Sequence, residues 1–229
     1  MAEIPGERLP IHTVNVLRLT WLSDTVFELV LGKPRNFTFH PGQKALIESG
    51  GICREYTLAS SAEEKELAFC IRFISKGALS EKLATIAVGD FVGISDPYGF
   101  FVFRPGKAVF VATGTGIAPF VAYAKSGVRG HLLLHGVRSE EELYYRNLLQ
   151  GAVENYIPCL SEENSHKEQN FTGFYGRVTE YLTMHLPGGR YDFYLCGNSA
   201  MIRDATLLID QKFPDCRVFS ESFFTAKTI

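Results

Sequence analysis

The stretch that most constrains this chain is Ala108-Val109-Phe110-Val111-Ala112-Thr113-Gly114-Thr115-Gly116-Ile117-Ala118-Pro119-Phe120. It opens as a continuous apolar run after Pro105-Gly106, breaks into Thr-Gly-Thr-Gly, and resumes with a helical pattern. An uninterrupted apolar run of this length reads as a strand buried on both faces, as in a parallel sheet. Pro119 falls in the first helical turn, where a missing N–H costs least. Gly114 and Gly116 let backbone approach a ligand closely, and the helix start offers unpaired N–H groups and partial positive charge. Strand, glycine turn and helix start together suit a phosphate or pyrophosphate. The same glycines could serve turn geometry alone, and Pro119 stands where the third glycine of a GxGxxG fingerprint would be.

Composition removes several classes of function. With 229 residues, 46% of them hydrophobic, the chain can bury a substantial core in one large domain or two small ones. A net charge of -2 gives no bulk attraction to nucleic acid or to a membrane surface. The first residues lack the basic and apolar regions of a signal peptide, so a cytoplasmic protein is expected. Cys53, Cys70, Cys159, Cys196 and Cys216 are scattered, with no CxxC or CxxxxC pair. No metal site and no built-in 2Fe–2S cluster is expected from such spacing.

Residues 12–95 read as short strands at regular spacing with Gly/Pro punctuation, which predicts an antiparallel β-barrel. One short helix, residues 78–87, interrupts them, preceded by Gly77. Alternation along Arg54-Glu55-Tyr56-Thr57 places Arg54 and Tyr56 on one face of their strand. An arginine beside an aromatic can clamp a phosphate while the ring stacks on a flat heterocycle. An ordinary barrel strand would look the same. Gly77-Ala78-Leu79-Ser80 could hold a second phosphate, or Ser80 could merely cap its helix.

From residue 106 onward strands alternate with helices. Strands are expected at 108–113, 130–136, 154–160, 191–196 and 217–220, and helices after Gly116 and at 140–150, 177–185 and 199–212. This order predicts a five-stranded parallel sheet flanked by helices, with ligands bound beyond the strand C-termini. The expected division is a barrel domain over 1–105 and an α/β domain over 106–229. Three strand ends converge: Thr113 to Gly116, Gly136 to Arg138, and Cys196 to Asn198. Arg138, at the end of the second strand, suits the 2′-phosphate of NADP.

A barrel followed by a parallel sheet, with these motifs in order, resembles the ferredoxin–NADP reductase superfamily, and most closely its bacterial ferredoxin/flavodoxin–NADP reductases. The likeness is carried by Arg54-Glu55-Tyr56-Thr57-Leu58-Ala59-Ser60 and by Ala112 to Phe120, whose proline it accounts for. His135-Gly136-Val137-Arg138 with Glu142-Leu143-Tyr144-Tyr145, Gly176-Arg177-Val178-Thr179, Cys196-Gly197-Asn198 and Glu221-Ser222-Phe223-Phe224 complete it. It implies non-covalent FAD held by Arg54, Glu55, Tyr56, Thr57, Ile71, Gly77, Ala78, Leu79 and Ser80, with Phe223 or Phe224 covering the flavin. It implies NADP held by Thr113, Gly114, Thr115, Gly116, Pro119, Arg138, Tyr144, Arg177, Cys196 and Gly197. Thr57, Cys196 and Glu221 become the catalytic candidates. The implied activity is electron transfer between NADPH and ferredoxin or flavodoxin, by hydride transfer at flavin N5.

One departure bears on the nucleotide. Where many NADP-specific bacterial members carry a further arginine, this chain has Leu160-Ser161-Glu162-Glu163. An acid there repels a 2′-phosphate unless Lys167 or Arg177 compensates, which keeps NADH open as donor. The competing readings are an NAD(P)H-dependent flavin or oxygenase-component reductase, and a flavin-binding subunit that does not turn over.

Overall fold

The computed structural model describes residues 9–162 and 171–223. The chain divides into two compact units between Phe100 and Phe101.

The first unit holds β1 (Ile11–Ser23), β2 (Val26–Gly32), β3 (Lys44–Ser49), β4 (Ile52–Thr57), β5 (Glu66–Arg72), the short helix α1 (Ser80–Ala84) and β6 (Phe91–Ser95). The strands pair antiparallel in the order β4-β3-β6-β1-β2-β5. β1 is long because it serves two neighbours: Ile11–Asn15 pair with β6, and Val16 to Ser23 pair with β2 across a register irregularity at Val16/Arg18. The ends of the order meet at an antiparallel bridge between Leu58 and Phe69 and an Ala59 N–H to Ala68 carbonyl bond of 2.8 Å, closing the barrel. Alternate side chains turn inward, and Val16, Phe27, Leu29, Ile47, Leu67 and Phe69 fill the interior.

The helix expected over residues 78–87 is only five residues long, and Ser80 lies inside it rather than capping it. The Ser80 hydroxyl accepts the Ile74 N–H at 3.2 Å and donates to the Ile74 carbonyl at 3.4 Å, pinning the loop shut. A Cβ on Gly77 would lie 2.7 Å from the Ile74 carbonyl oxygen, so this loop admits only glycine there.

The second unit carries β7 (Ala108–Thr113), α2 (Ala118–Lys125), β8 (Gly130–Val137), α3 (Arg146–Gln150), β9 (Val153–Leu160), β10 (Phe174–Tyr175), α4 (Val178–Met184), β11 (Asp192–Asn198), α5 (Ser199–Lys212) and β12 (Arg217–Phe223). The sheet is parallel throughout, in the order β10-β9-β8-β7-β11-β12. It has six strands where five were expected. The added β10 is two residues long, too short for periodicity to reveal. Val109, Val111, Phe193 and Leu195 face α4 and α5, while Phe110 and Tyr194 meet Phe120 and Tyr123 of α2.

The single helix expected over 140–150 is broken. A 3-10 turn at Glu140–Glu142 is followed by Tyr145 at φ 59° and then α3. Leu143 leaves the helical face to pack with Val137 and Leu160 over the ends of β8 and β9, a local demand that overrides the periodic pattern.

His135 sits within β8, fully buried. Its Nδ1 lies 2.9 Å from the Tyr156 hydroxyl, while Nε2 has no hydrogen-bond partner among the described residues. Burial lowers its pKa to about 3. The unfolded chain therefore binds a proton below about pH 6.5 that the folded one refuses until far lower. The linked stability is complete above pH 6.5 and is lost as pH falls toward 3, at about 1.4 kcal/mol per pH unit. Between pH 7 and 5 wild type should lose about 2 kcal/mol more than His135→Gln by denaturant titration. Parallel profiles would refute the assignment.

Among the described residues, no helix is long and apolar enough to cross a membrane, and no three His, Cys, Asp or Glu side chains gather as a metal site.

Candidate functional site

At the C-terminal end of β7 the chain enters a 3-10 turn, Gly114–Ile117, which runs straight into α2 with Pro119 in the first turn. Gly114 has φ +54°, and a Cβ built there would find nothing within 4 Å. Space therefore stands open above the turn. Gly116 is the opposite case: its Cβ would lie 2.6 Å from the Cys196 carbonyl carbon and 2.6 Å from Gly197 Cα. Gly197, at φ +132°, is equally confined: a Cβ built there would lie 2.6 Å from the Thr113 carbonyl oxygen. The two glycines let the turn and the end of β11 lie against each other. No acidic side chain stands in the first turn of the 3-10 segment or of α2. An open turn at an acid-free helix start fits a pyrophosphate.

Register brings the other candidates to the same level of the sheet. Thr113 pairs with Gly136, Cys196 with Ala112 on one side and Glu221 on the other, and Asn198 with Phe223. Thr113 is committed to this edge: its Oγ1 accepts the Asn198 N–H at 3.0 Å. Asn198 in turn caps α5 by accepting from the Ala200 and Met201 N–H groups. Cys196 is completely buried. Beneath it lies Tyr123, whose hydroxyl donates to the Phe101 carbonyl at 2.6 Å. Burial, with Tyr194, Cys196 and Glu221 close by, pushes the Tyr123 hydroxyl well above its ordinary range. Tyr123 was not foreseen; the density of aromatics at 101, 103 and 110 was its only signal in the sequence.

Arg138 follows β8, half exposed. Its Nε and Nη2 donate to Glu142 Oε1 at 3.2 and 2.7 Å, and its backbone N–H donates to Oε2 at 3.1 Å. Glu142 first, and Glu162 and Tyr144 more weakly, hold the guanidinium above its ordinary pKa. The structure thus places Tyr144 near Arg138 and adds Glu142. Tyr144 is largely buried. Arg177 stands past β10 at the start of α4, its N–H donating to Glu180 Oε2 at 2.7 Å.

In the barrel unit, Arg54 and Tyr56 share a face of β4, near enough for Arg54 to act on the tyrosine hydroxyl. Burial pushes that hydroxyl up to about 12, against the opposing pull of Arg54. Among the described residues the Arg54 guanidinium bonds only the Cys53 carbonyl, at 2.7 Å, which leaves most of its donors available to a diphosphate. Glu55 is spent elsewhere, accepting from Lys44 Nζ and the Tyr98 hydroxyl, each at 2.8 Å. Burial raises its pKa, but these bonds outweigh it and hold the carboxyl low. Thr57 is buried at the end of the strand. The Ile71 and Leu79 side chains belong to the barrel core. Ala78 is exposed beside them. Phe223 ends β12, half-buried, while Phe224, Glu163 and Lys167 lie outside the described residues.

Comparison with known proteins agrees with this geometry. Residues 19–103 match the family described as Oxidoreductase FAD-binding domain, and residues 110–206 match Oxidoreductase NAD-binding domain. The anthranilate 1,2-dioxygenase electron transfer component of Acinetobacter baylyi is 30% identical over 97% of this chain and 70% of its own length. The xylene/toluene monooxygenase electron transfer component of Pseudomonas putida is 29% identical over 94% of this chain and 67% of its own. Among other curated relatives the chain spans between 48% and 68% of their length. Among solved structures, a ferredoxin NADP+ reductase from Neisseria gonorrhoeae with bound FAD and NADP superposes with a TM-score of 0.79 at 22% identity. That match covers 93% of this chain and 99% of the other, and it shows the fold.

Proposed function

From the premise that this chain belongs to the ferredoxin–NADP reductase superfamily of FAD- and NAD-binding oxidoreductases, we propose that it is an electron-transfer reductase. It takes hydride from a reduced nicotinamide dinucleotide and delivers electrons singly to a carrier protein or oxygenase component. The single observation that carries this reading is the strand-end row of the second unit. An open glycine turn for a dinucleotide stands in register with a buried thiol, Cys196, and a carboxylate, Glu221. The relatives named as oxygenase electron-transfer components favour an oxygenase-type acceptor over the narrower ferredoxin or flavodoxin–NADP reductase reading. That narrower reading remains the second one, supported by the motif order in the sequence.

Bound FAD supplies the chemistry that joins two-electron and one-electron transfer. Arg54 supplies charge-assisted hydrogen bonds to its diphosphate, and Tyr56 offers a ring face for stacking. The loop from Gly77 to Ser80 offers backbone to the same diphosphate. The turn Gly114–Ile117 would present backbone N–H groups to the nicotinamide dinucleotide, with Pro119, which has no N–H to offer, fixing the helix start behind it. Cys196 and Gly197 would stand beside its reactive ring, and Thr57 is assigned to the flavin.

The test is anaerobic stopped-flow bleaching of the flavin with NADH and NADPH in parallel. Fast reduction by at least one nucleotide supports the reading. Bound flavin that neither reduces would leave only a binding subunit. Thr57→Ala and Cys196→Ala should each slow flavin reduction by roughly ten- to a hundredfold, while FAD content stays within twofold of wild type. Unchanged rates in both variants would remove these residues from the active site.

A further inference from the structure

β12 is the last strand of its sheet, and among the described residues β11 is its one pairing neighbour. The Arg217 N–H donates to the Tyr191 carbonyl, just ahead of β11, at 3.3 Å. Backbone groups alternate sides along a strand. Arg217, Phe219 and Glu221 therefore turn theirs toward β11, while Val218, Ser220 and Ser222 turn theirs outward. An outward row of N–H and C=O groups is a template for another strand, which sheets commonly blunt with a proline or a bulge. β12 holds no proline, and its register with β11 runs unbroken from Arg217 to Phe223. Arg217 and Ser220 are exposed.

The sequence of the strand says what fits that template. Set two copies of Arg217-Val218-Phe219-Ser220-Glu221 antiparallel about a two-fold axis through Phe219. Arg217 then lies opposite Glu221 of the second copy, and this happens twice. Val218 faces Ser220, both with backbone groups turned to the partner, so the ladder forms. Arg217 and Glu221 meet at a non-hydrogen-bonded position, where side chains approach most closely and opposite charges favour the pair. Neighbouring registers do not fit. A slip of one residue sets an outward-turned residue against an inward-turned one. A slip of two residues puts Arg217 against Phe223 in one direction; in the other it puts Arg217 against Phe219 and Asp215 against Glu221. Asp192 already accepts the Arg217 Nε and Nη2 at 2.7 and 2.6 Å, but the side chain is 57% exposed and the guanidinium has further donors for a second carboxylate.

We infer that β12 pairs with β12 of a second copy of this chain, joining two parallel sheets edge to edge across a two-fold axis. The occupant is a second copy because the strand is complementary in charge to its own reverse. The interface is small, so the dimer is weak and its population follows concentration. The inference stands apart from the reductase reading, and either can fail alone.

The experiment is sedimentation equilibrium of the full FAD-loaded chain, with circular dichroism as the control for folding. Wild type should pass from monomer to dimer as its concentration rises through roughly 10–500 μM. Ser220→Pro removes an outward N–H and leaves the bonds to β11 in place. It should weaken association at least tenfold with an unchanged folding spectrum. Arg217→Glu and Glu221→Arg each set like charges opposite one another and should weaken self-association to a similar extent. An equimolar mixture of those two variants restores both opposite-charge pairs and should form a heterodimer within threefold of wild-type affinity. A wild type that stays monomeric throughout would overturn the inference. So would a dimer that Ser220→Pro leaves intact, or a mixture of the charge variants that associates no better than either alone. Should a charge variant lose its folded spectrum, the wild type and Ser220→Pro decide between them.

Discussion

Gly116→Ala is expected to cost about 3 kcal/mol of stability and to slow nucleotide-driven flavin reduction at least a hundredfold. The added methyl would press on the Cys196 carbonyl carbon and on Gly197 Cα, each 2.6 Å from its position. These are backbone atoms of β11, hydrogen-bonded to β7 on one side and β12 on the other, so they cannot swing away as a side chain would. Relief requires the turn and the strand end to part, which moves the phosphate cradle away from Cys196. Gly114→Ala is the informative control. Its methyl meets no atom within 4 Å, so the cost is limited to the left-handed backbone at φ +54°, about 1–2 kcal/mol. Denaturant titration of both variants, with stopped-flow reduction, separates packing from strain. A Gly116→Ala protein as stable and as fast as wild type would show that the close approach does not matter.

Arg54→Ala should release FAD without loosening the barrel. The guanidinium is exposed, and its one hydrogen bond among the described residues is to the carbonyl of the adjacent Cys53. Surface substitutions of this kind stay within about 0.5 kcal/mol in stability. A charge-assisted bond to a diphosphate contributes about 2–3 kcal/mol, so the FAD dissociation constant should rise roughly 30- to 160-fold. Arg54→Lys should recover part of the loss, since an ammonium keeps the charge but not the planar fork. Titration of the apoprotein by quenching of flavin fluorescence reads the constant directly. Unaltered affinity in Arg54→Ala would move the diphosphate elsewhere, with the loop at Gly77 the next place to look.

The parts of this architecture written in local pattern were legible from the sequence. The apolar run at 108–113 and the Thr-Gly-Thr-Gly break read as a buried parallel strand and its turn, and short strands at regular spacing with Gly/Pro punctuation read as the barrel. Three things escaped because they depend on the folded arrangement rather than on local periodicity. β1 divides its length between two partners, which only the assembled sheet decides. The helix over 140–150 broke because Leu143 was needed over the ends of β8 and β9. Arg138 reads as an available cation until the fold turns Glu142 back beneath it. Glu55 follows the same rule: its position within Arg-Glu-Tyr-Thr suggested cofactor contact, but Lys44 and Tyr98 claim the carboxylate. A motif gives the residue and its strand, whereas the partners of a charged side chain are set by tertiary structure.

The wedged contact of Gly116 and Gly197 against the neighbouring strand ends has a counterpart in the loops that follow β8 and β9. The wedge tolerates no added atom, while Arg138 and Glu142 lie at the surface in a short segment that the wedge does not touch. Selection can therefore act on the two at different tempos. Residues in the loop can be exchanged one or two at a time, while the close-packed glycines admit no such exchange. The sheet thus joins a turn that cannot be altered by a single atom to loops that can be rewritten around it.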